Sequence, residues 1–289
     1  SPTALCPVAP WMLKQRVFTA VLMAGSFLAG AYWLPSTALA AIFVIIVALG
    51  AWEWAPLAGL TRLRSKILYV ILVIACAGAL YRYAGDGQNF SREIVQPVLG
   101  LACLWWCFAL LWVRSFPGSA GLWDSRLGRS FMGILILVPA WFAAVYLLTL
   151  EARNAVMVVL VLVVAAADIG AYFTGKSLGR HALSPSVSPG KTWEGFWGGV
   201  VAVAVLSAVV WSLLPDRFDH LSLLAVMVVA LATAFASVLG DLTVSMVKRV
   251  GGVKDSSSML PGHGGLLDRL DSLCAAAPAF ALGLVMVGF

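Results

Sequence analysis

Eighteen residues near the end of the chain, KDSSSMLPGHGGLLDRLD from Lys254 to Asp271, hold three carboxylates, two cations, a histidine and three glycines. Asp268 and Asp271 are three apart, a spacing that on a helix points both carboxylates the same way. In GDLTVSMVKR, Asp241, Ser245 and Lys248 fall at i, i+4 and i+7. One helical face then runs from carboxylate through hydroxyl to cation. Three aspartates on adjoining helices would repel one another unless a cation lay between them. Oxygen-only donors suit a hard ion, and Mg²⁺ usually bridges carboxylates to the phosphates of a substrate. Asp241, Asp268 and Asp271 are therefore the candidate metal ligands. Lys248, Arg249, Lys254 and Arg269 would hold the phosphates, and His263 supplies a further donor. Pro261 and Gly262 read as a turn, while Gly264 and Gly265 would let backbone approach a ligand closely.

Two upstream stretches carry related chemistry. SPGKTWEG, Ser188 to Gly195, reads as a Ser-Pro-Gly turn followed by a helix. Thr192 would cap that helix, with Glu194 and Gly195 in its first turn. Lys191 beside the free N–H groups of a helix start suits a phosphate. Asp168 lies late in an apolar run, and an intramembrane carboxylate usually faces a polar cavity. GAYFTGKS, Gly170 to Ser177, matches the pattern of a phosphate-binding loop. That loop must follow a buried strand and wrap phosphate with flexible backbone. Here it follows VMVVLVLVVAAAD and its centre, AYFT, is bulky and helix-compatible, so the match reads as chance.

These residues must be positioned by membrane helices. The chain is 62% hydrophobic and 11% charged, against roughly 25% charged in soluble domains. A span needs about 20 apolar residues, and nine runs qualify: 17–34, 37–54, 67–84, 94–113, 130–149, 155–175, 195–214, 221–246 and 271–289. The runs are continuously apolar and do not alternate, which argues against a β-barrel. The expected fold is all-α and polytopic. Fifteen of the 19 Lys and Arg fall on the side shared by the N-terminus and the even-numbered loops; Arg82, Arg92, Arg153 and Arg217 fall on the other. Basic residues mark the cytoplasmic side. This places the N-terminus and the charged stretch in the cytoplasm and the C-terminus in the periplasm. The net charge of +6 is then charge on one membrane face and needs no nucleic-acid partner. It would suit anionic lipid and nucleotide phosphates.

Residues 1–11 lack the charged start of a signal peptide and read as a leader or a cloning remnant. Residues 12–153 form five spans with short loops. Residues 154–289 form four more, with cytoplasmic loops at 175–195 and 248–271 that flank the same pair of spans and can meet. Cys103 and Cys107 lie one helical turn apart with no His nearby, and read as buried thiols rather than zinc ligands. Glu53, in AWEW, reads as a carboxylate meeting water at a span end, with a functional role as the alternative.

The C-terminal stretch resembles the bacterial phosphatidate cytidylyltransferases, or CDP-diacylglycerol synthases. Their long signature reads here as Ser245, Lys248-Arg249, Lys254-Asp255, Ser257, Leu260-Pro261, His263-Gly264-Gly265 and Asp268-Arg269-Leu270-Asp271, at the family's spacing over 27 residues. ADIGAYFTGKSLGRH, SPGKTWEG, SVLGDLTVSM, MLKQR and AWEW are similar too. The resemblance implies a nine-span enzyme of the bacterial inner membrane, joining CTP and phosphatidic acid into CDP-diacylglycerol and pyrophosphate in phospholipid biosynthesis. It implies a divalent cation, Mg²⁺, with K⁺ as a candidate second ion, and a homodimer. Asp241, Lys248, Lys254, His263, Asp268 and Asp271 are then the expected catalytic set. Asp168, Lys191, Thr192, Glu194, Ser245, Arg249, Gly264, Gly265 and Arg269 are expected to bind substrate. The rival readings are a transporter or channel for an anionic solute, a related CTP-dependent lipid kinase or transferase, and a non-catalytic lipid-binding scaffold. Against transport, the polar residues gather on one face, whereas alternating access uses a midplane site.

Overall fold

A computed structural model describes residues 30, 32–85, 90–150, 152–214, 218, 221–259 and 264–289. Eight long helices account for most of them: α1 Ser36–Leu57, α2 Leu63–Ala84, α3 Arg92–Arg114, α4 Arg126–Leu147, α5 Arg153–Leu178, α6 Trp193–Ser212, α7 Leu223–Val250 and α8 Leu267–Val287. They have 20 to 28 residues each and are apolar enough to cross a membrane. Where no water can satisfy a peptide group, a helix satisfies its own, so continuous apolar sequence dictates helices here. The protein is a multi-pass membrane protein.

The eight helices coincide with the last eight expected spans. The first, 17–34, lies almost wholly outside the described residues. Several helices start two to four residues before the hydropathy bounds, because Arg92, Arg126, Arg153 and Asp268 are already helical. Long charged side chains in a first turn reach back to water, whereas a hydropathy window counts them as loop. The all-α expectation misses one small element: β1 Ala182–Ser184 pairs antiparallel with β2 Ser188–Thr192, with Ala182 opposite Thr192 and Ser184 opposite Ser188. The turn is Pro185–Val187, closed by the Val187 amide donating to Ser184. Ser188-Pro189-Gly190, expected to be that turn, is strand instead; buried Val187 anchors the hairpin tip.

Helix α8 is the hub. It packs against α7, α4, α3, α5 and α1, and it and α4 have the most buried windows, 56% each, against 22% for α2. Helices α5 and α6 form a hairpin that meets α7 through a small core of its own around Val163, Ala167, Val203, Ala230 and Ala234. Their backbones approach through glycine: a side chain on Gly198 would run into Thr174, and one on Gly199 into the Ala167 carbonyl. Small residues at such crossings let helices pack closely where lipid supplies no hydrophobic drive. Gly170 and Gly175 belong to this contact and lie inside α5, so GAYFTGKS is helix and not a phosphate loop.

The helices alternate in direction, which sorts their ends. Among the described residues, Arg82, Arg92 and Arg153 lie at one end and every other Lys and Arg at the opposite end. At the basic end Trp54 donates to the Arg129 carbonyl at 2.7 Å, and Arg129 to that of Leu57 at 2.7 Å. At the other, Arg92 donates to the Val285 carbonyl at 2.5 Å.

Candidate active site

At the basic end a cleft of about 540 Å³ opens between α5, α7, α8 and the loop before α8. Asp241, Ser245, Lys248 and Arg249 reach it from α7, as their i, i+4, i+7 spacing requires. Asp268, Arg269 and Asp271 reach it from the first turns of α8, Asp168 from α5, and Lys254 from the loop. Nine of the expected site residues thus line one space, although 103 positions separate Asp168 from Asp271. Gly240 allows this: a side chain there would meet the Asp271 carbonyl. The backbones of α7 and α8 therefore touch beside the two aspartates.

The carboxylates differ in their partners. Lys248 Nζ stands 2.8 Å from Asp268 Oδ1, with side chains 9% and 8% exposed. Asp268 Oδ2 accepts from the Ser256 and Gly265 amides, both at 2.9 Å. Both oxygens of Asp268 are therefore engaged. Such a pair must be intact: removing one partner of a buried ion pair leaves an uncompensated charge and costs about 3–5 kcal/mol. Asp241 sits between Lys191 Nζ, 2.5 Å from Oδ2, and the Ser245 hydroxyl, which donates to Oδ1 at 3.1 Å. Asp271 is 6% exposed and accepts from the Ser272 amide at 2.8 Å. Asp168 makes no hydrogen bond or ion pair among the described residues, yet it feels Lys191 and Asp241 electrostatically, as Asp271 does. Among the described residues no three of His, Cys, Asp and Glu stand ready as a metal cluster. The expected trio shares one cleft, in which Asp241 pairs with Lys191 and Asp268 with Lys248.

The remaining expected residues frame the cleft. Thr192 caps α6, accepting from the Gly195 amide at 3.1 Å. Lys191 precedes it and turns to Asp241. Glu194 is not among the residues lining the cleft: it accepts from the Arg180 and His181 amides at 3.1 and 3.2 Å and lies 2.6 Å from His181 Nδ1. Arg249 donates to the Val187 carbonyl at 3.0 Å, tying the hairpin tip to α7. Gly264 has φ of +81°, a conformation that favours glycine. The close approach it and Gly265 permit is to side chains of the protein, Asp268 for the one and Ser256 and Glu53 for the other. His263 lies outside the described residues.

Two participants stand outside the expected site residues. Asp255, which the family signature includes but the expected site residues do not, lines the cleft. Glu53 does not meet water: it is 1% exposed and accepts hydrogen bonds from the loop before α8 and from the start of α8 itself. Its partners lie more than 200 positions away, beyond any local pattern.

The cytidylyltransferase family model matches residues 14–287. The phosphatidate cytidylyltransferase of Pseudomonas aeruginosa is 41% identical over 278 residues, spanning 96% of this chain and 99% of the relative. That of Haemophilus influenzae is 36% identical over 293 residues, spanning 93% and 98%. That of Bacillus subtilis is 47% identical over 114 residues, 38% of this chain and 40% of the relative. With the family model covering nearly the whole length, and two relatives matching over nearly their whole length at 41% and 36% identity, the chain belongs to the cytidylyltransferase family.

Proposed function

We propose that this protein is a phosphatidate cytidylyltransferase, moving CMP from CTP to phosphatidate and leaving CDP-diacylglycerol in the membrane as pyrophosphate departs. The activity is the one its whole-length relatives are named for. The observation in the molecule that carries the reading is the continuity of the cleft from charge to lipid. Its rim presents Lys248, Arg249, Lys254 and Arg269, and its wall climbs α5 past Asp168 to Ala165, Val164 and Val161, with Leu273 on α8. Val161 lies ~10 Å deeper than Asp168 at the helical rise. Such a groove takes a phosphate at one end and acyl chains at the other, and its volume is in the range of small-molecule sites.

A phosphate monoester is ionised near neutral pH, so its attack needs no strong base. A phosphatidate oxygen bonds to the α-phosphorus of CTP as the bond to the β-phosphate oxygen breaks. Catalysis is then positioning and charge neutralisation. Lys248, fixed by Asp268, offers an immobilised cation to the reacting phosphates. Arg249, Lys254 and Arg269 clamp the triphosphate, Lys191 exchanges Asp241 for a phosphate, and His263 adds a donor. The donors fit Mg²⁺ by chemistry, all being carboxylate oxygens. Asp241 and Asp271, with Asp168 beside them, would hold it, while Asp268 is committed to Lys248. A bound Mg²⁺ would neutralise triphosphate charge; K⁺ is a second candidate ion. The basic end faces the cytoplasm of a bacterial inner membrane, where CTP is found, and the working unit is a homodimer.

The test is incubation of lipid-dispersed protein with phosphatidate and cytidine-labelled CTP, with and without Mg²⁺ and EDTA. Label should enter the organic phase only with the metal. Folded protein that transfers none would overturn the reading.

A further inference from the structure

We infer that Glu53, on α1, is a positioning residue for the transfer reaction, setting the loop that orients Asp268 and through it Lys248. The inference rests on the cytidylyltransferase reading. Glu53 is 1% exposed and its carboxylate receives four hydrogen bonds. Oε1 accepts from the Ser257 hydroxyl at 2.6 Å and the Leu266 amide at 3.0 Å. Oε2 accepts from the Ser256 hydroxyl at 3.1 Å and the Leu267 amide at 2.7 Å. Both oxygens thus bind both ends of the segment running from Ser256 to the start of α8.

The same segment supplies the two amides, Ser256 and Gly265, that hold Asp268 Oδ2. Asp268 Oδ1 in turn holds Lys248 in the cleft. One chain of contacts therefore runs from α1 to a cation at the reacting phosphates. A second cavity of about 250 Å³ is lined by Trp52, Glu53, Lys66 and Ser256–Met259. Glu53 is the buried anchor of both described ends of this segment. An ionised carboxylate accepts only; a Gln amide would turn a donor against donors.

The test uses the full chain in lipid with Glu53→Gln, and Ser256→Ala as a milder variant should the first fail to fold. Hydrogen–deuterium exchange should rise in residues 254–267 of either variant and stay at wild-type levels in α4 and α5. The kcat for CTP and phosphatidate should fall on the order of 100-fold for Glu53→Gln and less for Ser256→Ala, with KM for CTP little changed. Unchanged exchange in 254–267 would remove the anchor. Raised exchange with wild-type kcat would reduce Glu53 to a structural clamp. The exchange measurement needs no turnover, so a wild-type protein that makes no CDP-lipid would sink the transferase reading separately.

Discussion

Lys248 and Asp268 show how one residue pair serves both fold and site. Both are nearly buried, and Asp268 is ringed by Lys248 and two backbone amides. Asp268→Asn keeps the shape but strands the ammonium, so thermal unfolding in detergent should reveal a loss of about 3–5 kcal/mol. Turnover should fall on the order of 100-fold or more, as when a preorganised charge partner is lost. Lys191 and Asp241 form a contrasting pair, 28% and 30% exposed. A pair so open contributes about 1 kcal/mol at most. Lys191→Ala should therefore unfold almost as the wild type does, while its kcat/KM for CTP drops well beyond what stability explains. Equal losses in both measurements would mean that Lys191 serves only the fold.

At the scale of elements, glycine decides which helices can meet. Gly240 puts α7 against the Asp271 carbonyl, and Gly198 and Gly199 put α6 against α5. Gly240→Val should push Asp241 away from Asp271, and the protein should lose activity and unfold at a lower temperature. Gly264 acts through its backbone. At φ +81° a β-carbon would be strained and would also stand 2.9 Å from Asp268 Oδ2. Gly264→Ala should cost about 1–2 kcal/mol from conformation alone, with a further activity loss from displacing Asp268. A variant as active and stable as the wild type would show that the loop has room to relax.

For the whole molecule, the sorting of helix ends makes a topological prediction. Ser186, at the exposed hairpin tip, and Ser91, exposed just before α3, lie at opposite ends. In a background without reactive thiols, an impermeant maleimide added to intact cells with permeabilised outer membrane should label Ser91→Cys and spare Ser186→Cys. The reverse pattern would put the cleft outside and separate it from CTP. Chelation belongs at this scale as well. EDTA should abolish transfer and excess Mg²⁺ restore it, since the carboxylates of three helices converge on one cleft.

Much of this was legible in the residues themselves. Twenty apolar residues in a row can satisfy their peptide groups in lipid only as a helix, so seventeen to twenty-odd residues of Leu, Val and Ala determine each span without reference to any other. Charge at the ends sorts them, and helical periodicity alone puts Asp241, Ser245 and Lys248 on one face. What the sequence could not determine is who meets whom across the bundle. Glu53 looks like a span end beside water, and only the docking of α1 against the loop before α8 buries it. Asp241, Asp268 and Asp271 read as one metal trio, yet Lys191 and Lys248 pair with two of them. Gly265 reads as room for a ligand and is room for Glu53 and Ser256. Periodicity is a property of one helix, fixed by its own backbone. Pairing between helices is fixed by small residues and long-range hydrogen bonds whose partners stand far apart in the chain.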